Sequence, residues 1–153
     1  GTGTASLTLP CGVTVGAIAC VNACGDVYDP HTGKLMACAH LTDGTAVTAD
    51  SLLYGAQPMA EPLKISRPTN TTIAVVATDA VLTKPQVNRL ATCAHDGFAR
   101  AIRPVHTQMD GDTAFALATG RVDADVSMVQ LCAAAAEVMA RAIANAAVSG
   151  CKR

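Results

Sequence analysis

The chain has 153 residues, a formal net charge of −1 and a hydrophobic fraction of 50%, with only 3% aromatic residues and no tryptophan. That length suits one domain able to bury about two thirds of its unfolded surface, and the scattered, nearly balanced charge offers no footprint for nucleic acid or an anionic membrane. No uninterrupted apolar run of about 18 residues and no signal-like segment stands out, so the chain reads as soluble and cytoplasmic.

Taken in order, "GTGTAS" (residues 1–6) enters a strand-like segment with no helix before it. "GVTVGAIACVN" (12–22) is rich in Val and Ile and reads as a buried strand. "GDVYDPHTGK" (25–34) carries Asp29-Pro30 and Thr32-Gly33, both turn chemistry, before a short apolar piece at 35–39 that can pair as a second strand. Residues 40–70 lose periodicity, and a loop of that length inside a compact domain is commonly functional or disordered. "TTIAVVAT" (71–78) is a buried strand by its β-branched content. Thr83, Pro85 and Gln86 form a helix start, and Val87, Leu90, Ala91, Ala94, Phe98, Ala101 and Ile102 give that helix one apolar face, ended by Pro104. "TAFALATG" (113–120) is a third strand. An Ala-rich helix follows over 125–148, with Asp123 and Asp125 at its positive end and Gly150 as its C-cap. The second half therefore runs strand, helix, strand, helix, an α/β pattern.

Several residues carry possible chemistry. Seven cysteines, mostly in apolar company, read as small hydrophobic side chains. Cys20, Cys24, Cys38 and His40 alternatively supply four zinc donors, at a looser spacing than structural zinc pairs use. In "PTNTTIAVV", a threonine hydroxyl after Asn70 either caps the loop or attacks the carbonyl before it, passing through an N-to-O acyl shift to a new amino terminus. An α-amine with a pKa of about 8 would then act as base for its own hydroxyl. "MDGDT" (109–113) is a turn, a divalent-metal pair, or two carboxylates that orient an ammonium and a hydroxyl. Asn22 either caps a turn or donates to an oxyanion. His95 and His106 lack any accompanying GxSxG or cysteine-nucleophile signature and read as structural.

Together, "NTTIAVVATDAVLTKPQ", "RLATCAHDGFARAIRPVHTQMDGDTAFALATG" and "VTVGAIACVNACGDVYDPHTGK" resemble the DmpA-like peptidase family. This is the L-aminopeptidase/D-esterase group, and the likeness is nearest its nylon-oligomer (6-aminohexanoate-oligomer) hydrolase branch. The resemblance implies a layered α-β-β-α fold of the N-terminal-nucleophile type. It further implies self-cleavage between Asn70 and Thr71, with Thr71 as nucleophile, Asp110 and Asp112 orienting it, and Asn22 stabilising the oxyanion. No cofactor is implied, the substrate would be a small peptide, amide or ester, and relatives form homo-oligomers. Family members carry a long N-terminal region, with a lysine and a tyrosine at the site, that has no counterpart here. The expectation is therefore a C-terminal part of the fold: residues 1–70 end an α segment with a processing loop at 40–70, and 71–153 are the β segment. The alternative is a non-catalytic fragment or assembly subunit of such an enzyme.

Overall fold

The computed structural model describes residues 1–41, 43–55 and 70–150. Its elements are β1 (Thr2–Thr8), β2 (Thr14–Asn22), β3 (Asp26–Tyr28), β4 (Leu35–Ala37), β5 (Ala39–His40), β6 (Ala46–Val47), α1 (Ala49–Tyr54), β7 (Thr71–Ala80), α2 (Lys84–Ala101), β8 (Ile102–Arg103), β9 (Thr113–Val122) and α3 (Met128–Gly150). The main sheet has the order β1-β2-β7-β9. β2 is antiparallel to both β1 and β7, whereas β7 and β9 are parallel and joined through α2. That parallel pair needs a crossover, and α2 supplies it.

Period-two alternation decides which face each strand buries. In β7, Thr72, Ala74, Val76, Thr78 and Ala80 are buried, while Ile73 is 52% exposed. The buried face meets α2 and α3, and its core includes Leu90, Phe98, Val138, Met139 and Ile143. The opposite face carries Ile18, Ile73, Phe115 and Leu117 exposed. Register places Ile18 beside Val75 and Val75 beside Phe115, so these side chains form a continuous apolar band across three strands. The main sheet thus carries a helix layer on one face, and among the described residues its other face is open, while β4-β3-β8 and β5-β6 form two smaller sheets.

Small residues let α3 approach closely. A Cβ at Gly97 would lie 2.5 Å from the Ala136 carbonyl oxygen and 2.7 Å from Met139 Cβ, and one at Gly3 would collide with the Ala142 backbone. The Asn145 amide donates to the Thr4 carbonyl (2.9 Å), so α3 also satisfies part of the outer edge of β1. By length and composition α3 could cross a membrane, yet 61% of that span is buried inside the fold. Its apolar surface is used against the sheet and α2.

Helix starts follow their local chemistry. Gln86 accepts from the Thr83 backbone N–H (2.8 Å), as the reciprocal half of a capping box requires. α3 begins at Met128 rather than near 125 because Ser127 and Gln130 form the cap: the Gln130 N–H donates to the Ser127 hydroxyl at 3.2 Å. Asp123 and Asp125 therefore sit in the lead-in, not in the first turn. The 40–70 stretch is also less uniform than its sequence implies. β5 and β6 pair around Asp43-Gly44, with Gly44 at φ 84°, and Thr48 caps α1. These pieces are too short to show periodicity. The remainder of that expected processing loop, together with residue 42, lies outside the described residues. Asp26, 3% exposed, accepts from the Ala49 N–H (2.8 Å) and anchors α1 to the sheet region.

Two expectations follow. Gly97→Ala should destabilise the chain by about 1–3 kcal/mol despite the better helix propensity of alanine, because backbone must move to admit the methyl. Chemical denaturation measures this, and an unchanged or raised stability would refute the close-crossing account. The second concerns Glu137, which accepts from Arg100 (2.7 Å) and meets His31 (2.8 Å). Partial burial pushes its carboxyl up, but the bond and charge of Arg100, helped by His31, outweigh that and hold it below its ordinary value. A carboxyl with a lowered folded pKa stabilises the fold above its unfolded pKa, and the benefit is lost as pH falls through the folded value. Glu137→Gln should therefore flatten the loss of melting temperature between roughly pH 5 and 3; parallel acid limbs would contradict it.

Candidate active site

The sheet brings the separated sequence motifs to one end of β7. Asn22, the last residue of β2, is the register partner of Thr71, the first residue of β7. Asn70 pairs with Asp110 in an isolated parallel bridge, which extends the β7-β9 pairing back through "MDGDT". Asn22, Asn70, Thr71, Asp110 and Asp112, more than 80 residues apart at their extremes, consequently share one site. The expected site residues are thus brought together.

Alternation separates the two threonines. Thr72 points into the helix-covered core, is 0% exposed, and its hydroxyl has no hydrogen-bond partner among the described residues. Thr71 points the other way, and with Cys20, Asn22 and Ile73 it lines an open depression of about 750 Å³. The Thr71 hydroxyl donates to the Asn70 carbonyl oxygen at 2.7 Å. The same oxygen accepts from the Gly111 N–H at 2.9 Å. A Cβ at position 111 would sit 2.8 Å from Thr71 Oγ1, so only glycine leaves the hydroxyl its place. Two donors therefore converge on the carbonyl that precedes Thr71, one of them the adjacent hydroxyl.

The carboxylates fix backbone around this point. Asp110 accepts from the Cys24 N–H (3.1 Å) with one oxygen, and from the Thr107 N–H (3.0 Å) and hydroxyl (2.6 Å) with the other. It ties the turn after Asn22 to the segment carrying Gly111. Asp112, whose side chain is only 3% exposed, accepts from the Thr72 N–H (2.8 Å) and meets His106 Nδ1 (2.8 Å). A buried carboxylate without such donors would be costly.

His106 and His95 read as structural in the sequence, and the fold joins both to Asp112. His106 Nε2 lies 3.1 Å from His95 Nδ1, and the His95 ring stacks on Phe98. The available signal was position: His106 stands six residues before Asp112, just past Pro104. Gly111 was visible only as the spacer of the acidic pair, since its role comes from its backbone N–H. The zinc alternative finds no geometry, because among the described residues no group of three His, Cys, Asp or Glu side chains is placed to hold a metal. The described cysteines are all free thiols. Burial, reinforced by the Asp110 charge, pushes the Cys24 thiol up, which disfavours its thiolate.

The model of peptidase family S58 matches residues 1–152. An uncharacterized aminopeptidase of Mycobacterium bovis is 50% identical over 125 residues, covering 80% of this chain and 36% of that protein. A 6-aminohexanoate-oligomer endohydrolase of Kocuria sp. is 36% identical over 89 residues, covering 51% of this chain and 25% of the relative. Among solved structures, the L-aminopeptidase D-Ala-esterase/amidase of Ochrobactrum anthropi, described as a variant of the Ntn hydrolase fold, superposes with a TM-score of 0.60 at 24% identity, covering 95% of this chain and 39% of that one. The matched stretches span only 25% to 39% of the length of these longer proteins. Its fold is that of the Ntn-hydrolase aminopeptidases, and the chain belongs to peptidase family S58.

Proposed function

We propose that this chain is the self-processing portion of an N-terminal-nucleophile amidohydrolase whose Asn70–Thr71 bond is cut by Thr71. The observation that carries the reading is the Asn70 carbonyl, held between the Thr71 hydroxyl and the Gly111 N–H. Thr71 Oγ adds to the Asn70 carbonyl carbon, and the developing oxyanion keeps the Gly111 donor. The hydroxyl proton passes to the Thr71 nitrogen, and collapse breaks the C–N bond, expels that nitrogen as an amine and leaves an Asn70 ester on Oγ. Water hydrolyses the ester, giving an Asn70 carboxylate and a Thr71 with free amine and hydroxyl.

In the second phase the amine accepts the proton of its own hydroxyl as Oγ attacks a substrate amide or ester. An acyl-enzyme forms on Thr71, the leaving amine or alcohol takes the proton, and water releases the acid. Asn22 donates to that oxyanion, a role supported by its standing opposite Thr71 in the β2-β7 register. Asp110 and Asp112 hold the backbones that carry the participants. The substrate class is a small peptide or amide, which fits the aminopeptidase and 6-aminohexanoate-oligomer relatives. Cleavage would divide the chain into residues 1–70 and 71–153.

A second reading has its own support. The apolar band of Ile18, Ile73, Phe115 and Leu117 stands open among the described residues, and the stretch matched in the Mycobacterium bovis relative is only 36% of that protein. On that reading the chain is a piece that contributes the site to a larger assembly, cytoplasmic and homo-oligomeric in the intact enzyme, and does not turn over substrate alone.

A substitution series tests the first reading by following the cut over time on a denaturing gel. Thr71→Ala should abolish the cut, Thr71→Ser should retain it, and Gly111→Ala should slow it by crowding the hydroxyl. A cut that persists in Thr71→Ala would sink the assignment. Thr72→Val should leave the cut unchanged and hold or raise the melting temperature by an amount worth up to about 1–2 kcal/mol, since it removes an unpartnered buried hydroxyl. A marked loss of stability would show that this hydroxyl has a partner.

A further inference from the structure

We propose that His106, held by His95, is a positioning residue that aims Asp112 at the first turn-free peptide of β7 and makes Thr71 chemistry depend on pH in the histidine range. The inference rests on the Thr71 reading above, and it adds a controlling group that the reading does not need. Four groups form one hydrogen-bonded line: His95 Nδ1 to His106 Nε2 (3.1 Å), His106 Nδ1 to Asp112 Oδ2 (2.8 Å), and Asp112 Oδ1 to the Thr72 N–H (2.8 Å). The line ends on the peptide between Thr71 and Thr72.

Its polarity follows from donor counting. An ionised Asp112 only accepts, so the Thr72 N–H and His106 Nδ1–H must both donate to it. A neutral His106 then has a bare Nε2, which accepts from His95 Nδ1–H. Each member fixes the tautomer of the next. When His106 takes a proton, both its nitrogens donate, and His95 must present Nδ1 as an acceptor. Two cationic rings 3.1 Å apart are disfavoured, so the pair carries at most one added proton.

The backbone supports a built arrangement. His106 has φ 55°, the only positive φ among the described non-glycine residues. A branched or ordinary side chain pays for that conformation, which persists where surrounding contacts over-determine it. Here those contacts are Asp112, the His95 ring at 4.8 Å and the Phe98 ring at 5.6 Å. The charged and titratable groups around the line are Asp112 and Asp110 from the acidic segment, and His95 and Asp96 from α2. Burial, with the His106 charge, holds His95 below its ordinary value against the opposing pull of Asp112 and Asp96.

An imidazolium at position 106 neutralises Asp112 and weakens it as acceptor for the Thr72 N–H. Cleavage should therefore fall as pH drops through the histidine range. Asparagine can place an amide N–H near the Nδ1 position without titrating. His106→Ala should slow the cut by roughly ten- to a hundredfold, the scale of a misplaced reacting group. His106→Asn should restore most of the rate and remove the acid limb. Equal rates and pH profiles in all three proteins would overturn the proposal while leaving Thr71 as nucleophile.

A second measurement separates this proposal from the reading it rests on. In the uncut Thr71→Ala chain, the Thr72 amide is followed by ¹H–¹⁵N NMR against pH. The proposal expects its shift to move with a histidine midpoint, and expects that movement to vanish when His106→Asn is added. A Thr72 amide indifferent to pH in this range overturns the proposal. If the wild-type chain never cuts, the Thr71 reading fails, and this NMR result alone decides whether the His106–Asp112 line operates.

Discussion

The parallel pairing of β7 with β9 is the constraint on which the site depends. Continued back past the strands to the Asn70–Asp110 bridge, it lays the Gly111 N–H on the Asn70 carbonyl and sets Asp112 beside the Thr72 N–H. Parallel strands require a crossover, so α2 has to lie across the sheet, and α2 in turn delivers His95 to His106. A change in the β7-β9 register by one residue would exchange the faces of Thr71 and Thr72 and put the wrong hydroxyl at the carbonyl.

The same alternation explains why the sheet is two-faced. Core burial on the helix side is complete, with Val13, Val15, Val76, Leu90, Phe98 and Ile143 at 0% exposure. The Ala-rich α3 and the glycines at 3 and 97 reduce the distance between layers, so small side chains suffice to fill it. The other face keeps an apolar band that a larger protein of this family has material to cover, and Thr71 opens onto that same face.

Much of this was readable in the chain itself. Long segments with a clean period announced themselves: β2, β7, α2 and β9 lie where Val, Ile, Ala and the caps placed them, and α3 does so apart from its start, at Met128 rather than near 125. The acidic pair and the Asn70-Thr71 boundary were visible as residue types at fixed spacing. What stayed hidden depends on contacts between distant parts of the chain. The Gly111 N–H carries no side-chain signal, and Asp110's bond to the Cys24 N–H spans 86 residues. His106 looked like an isolated loop histidine because its partners lie on α2 and at the head of β9. The short elements β3, β5, β6 and α1 fall below the length at which periodicity can speak.

The central claim is that Thr71 cuts the peptide bond before it, and intact-mass measurement of the purified, incubated chain tests it most directly. The account predicts two fragments, one ending at Asn70 and one beginning at Thr71 with a free amine, whose masses sum to the precursor plus one water. A chain that stays whole under all conditions, or one cut at any other bond, would contradict it.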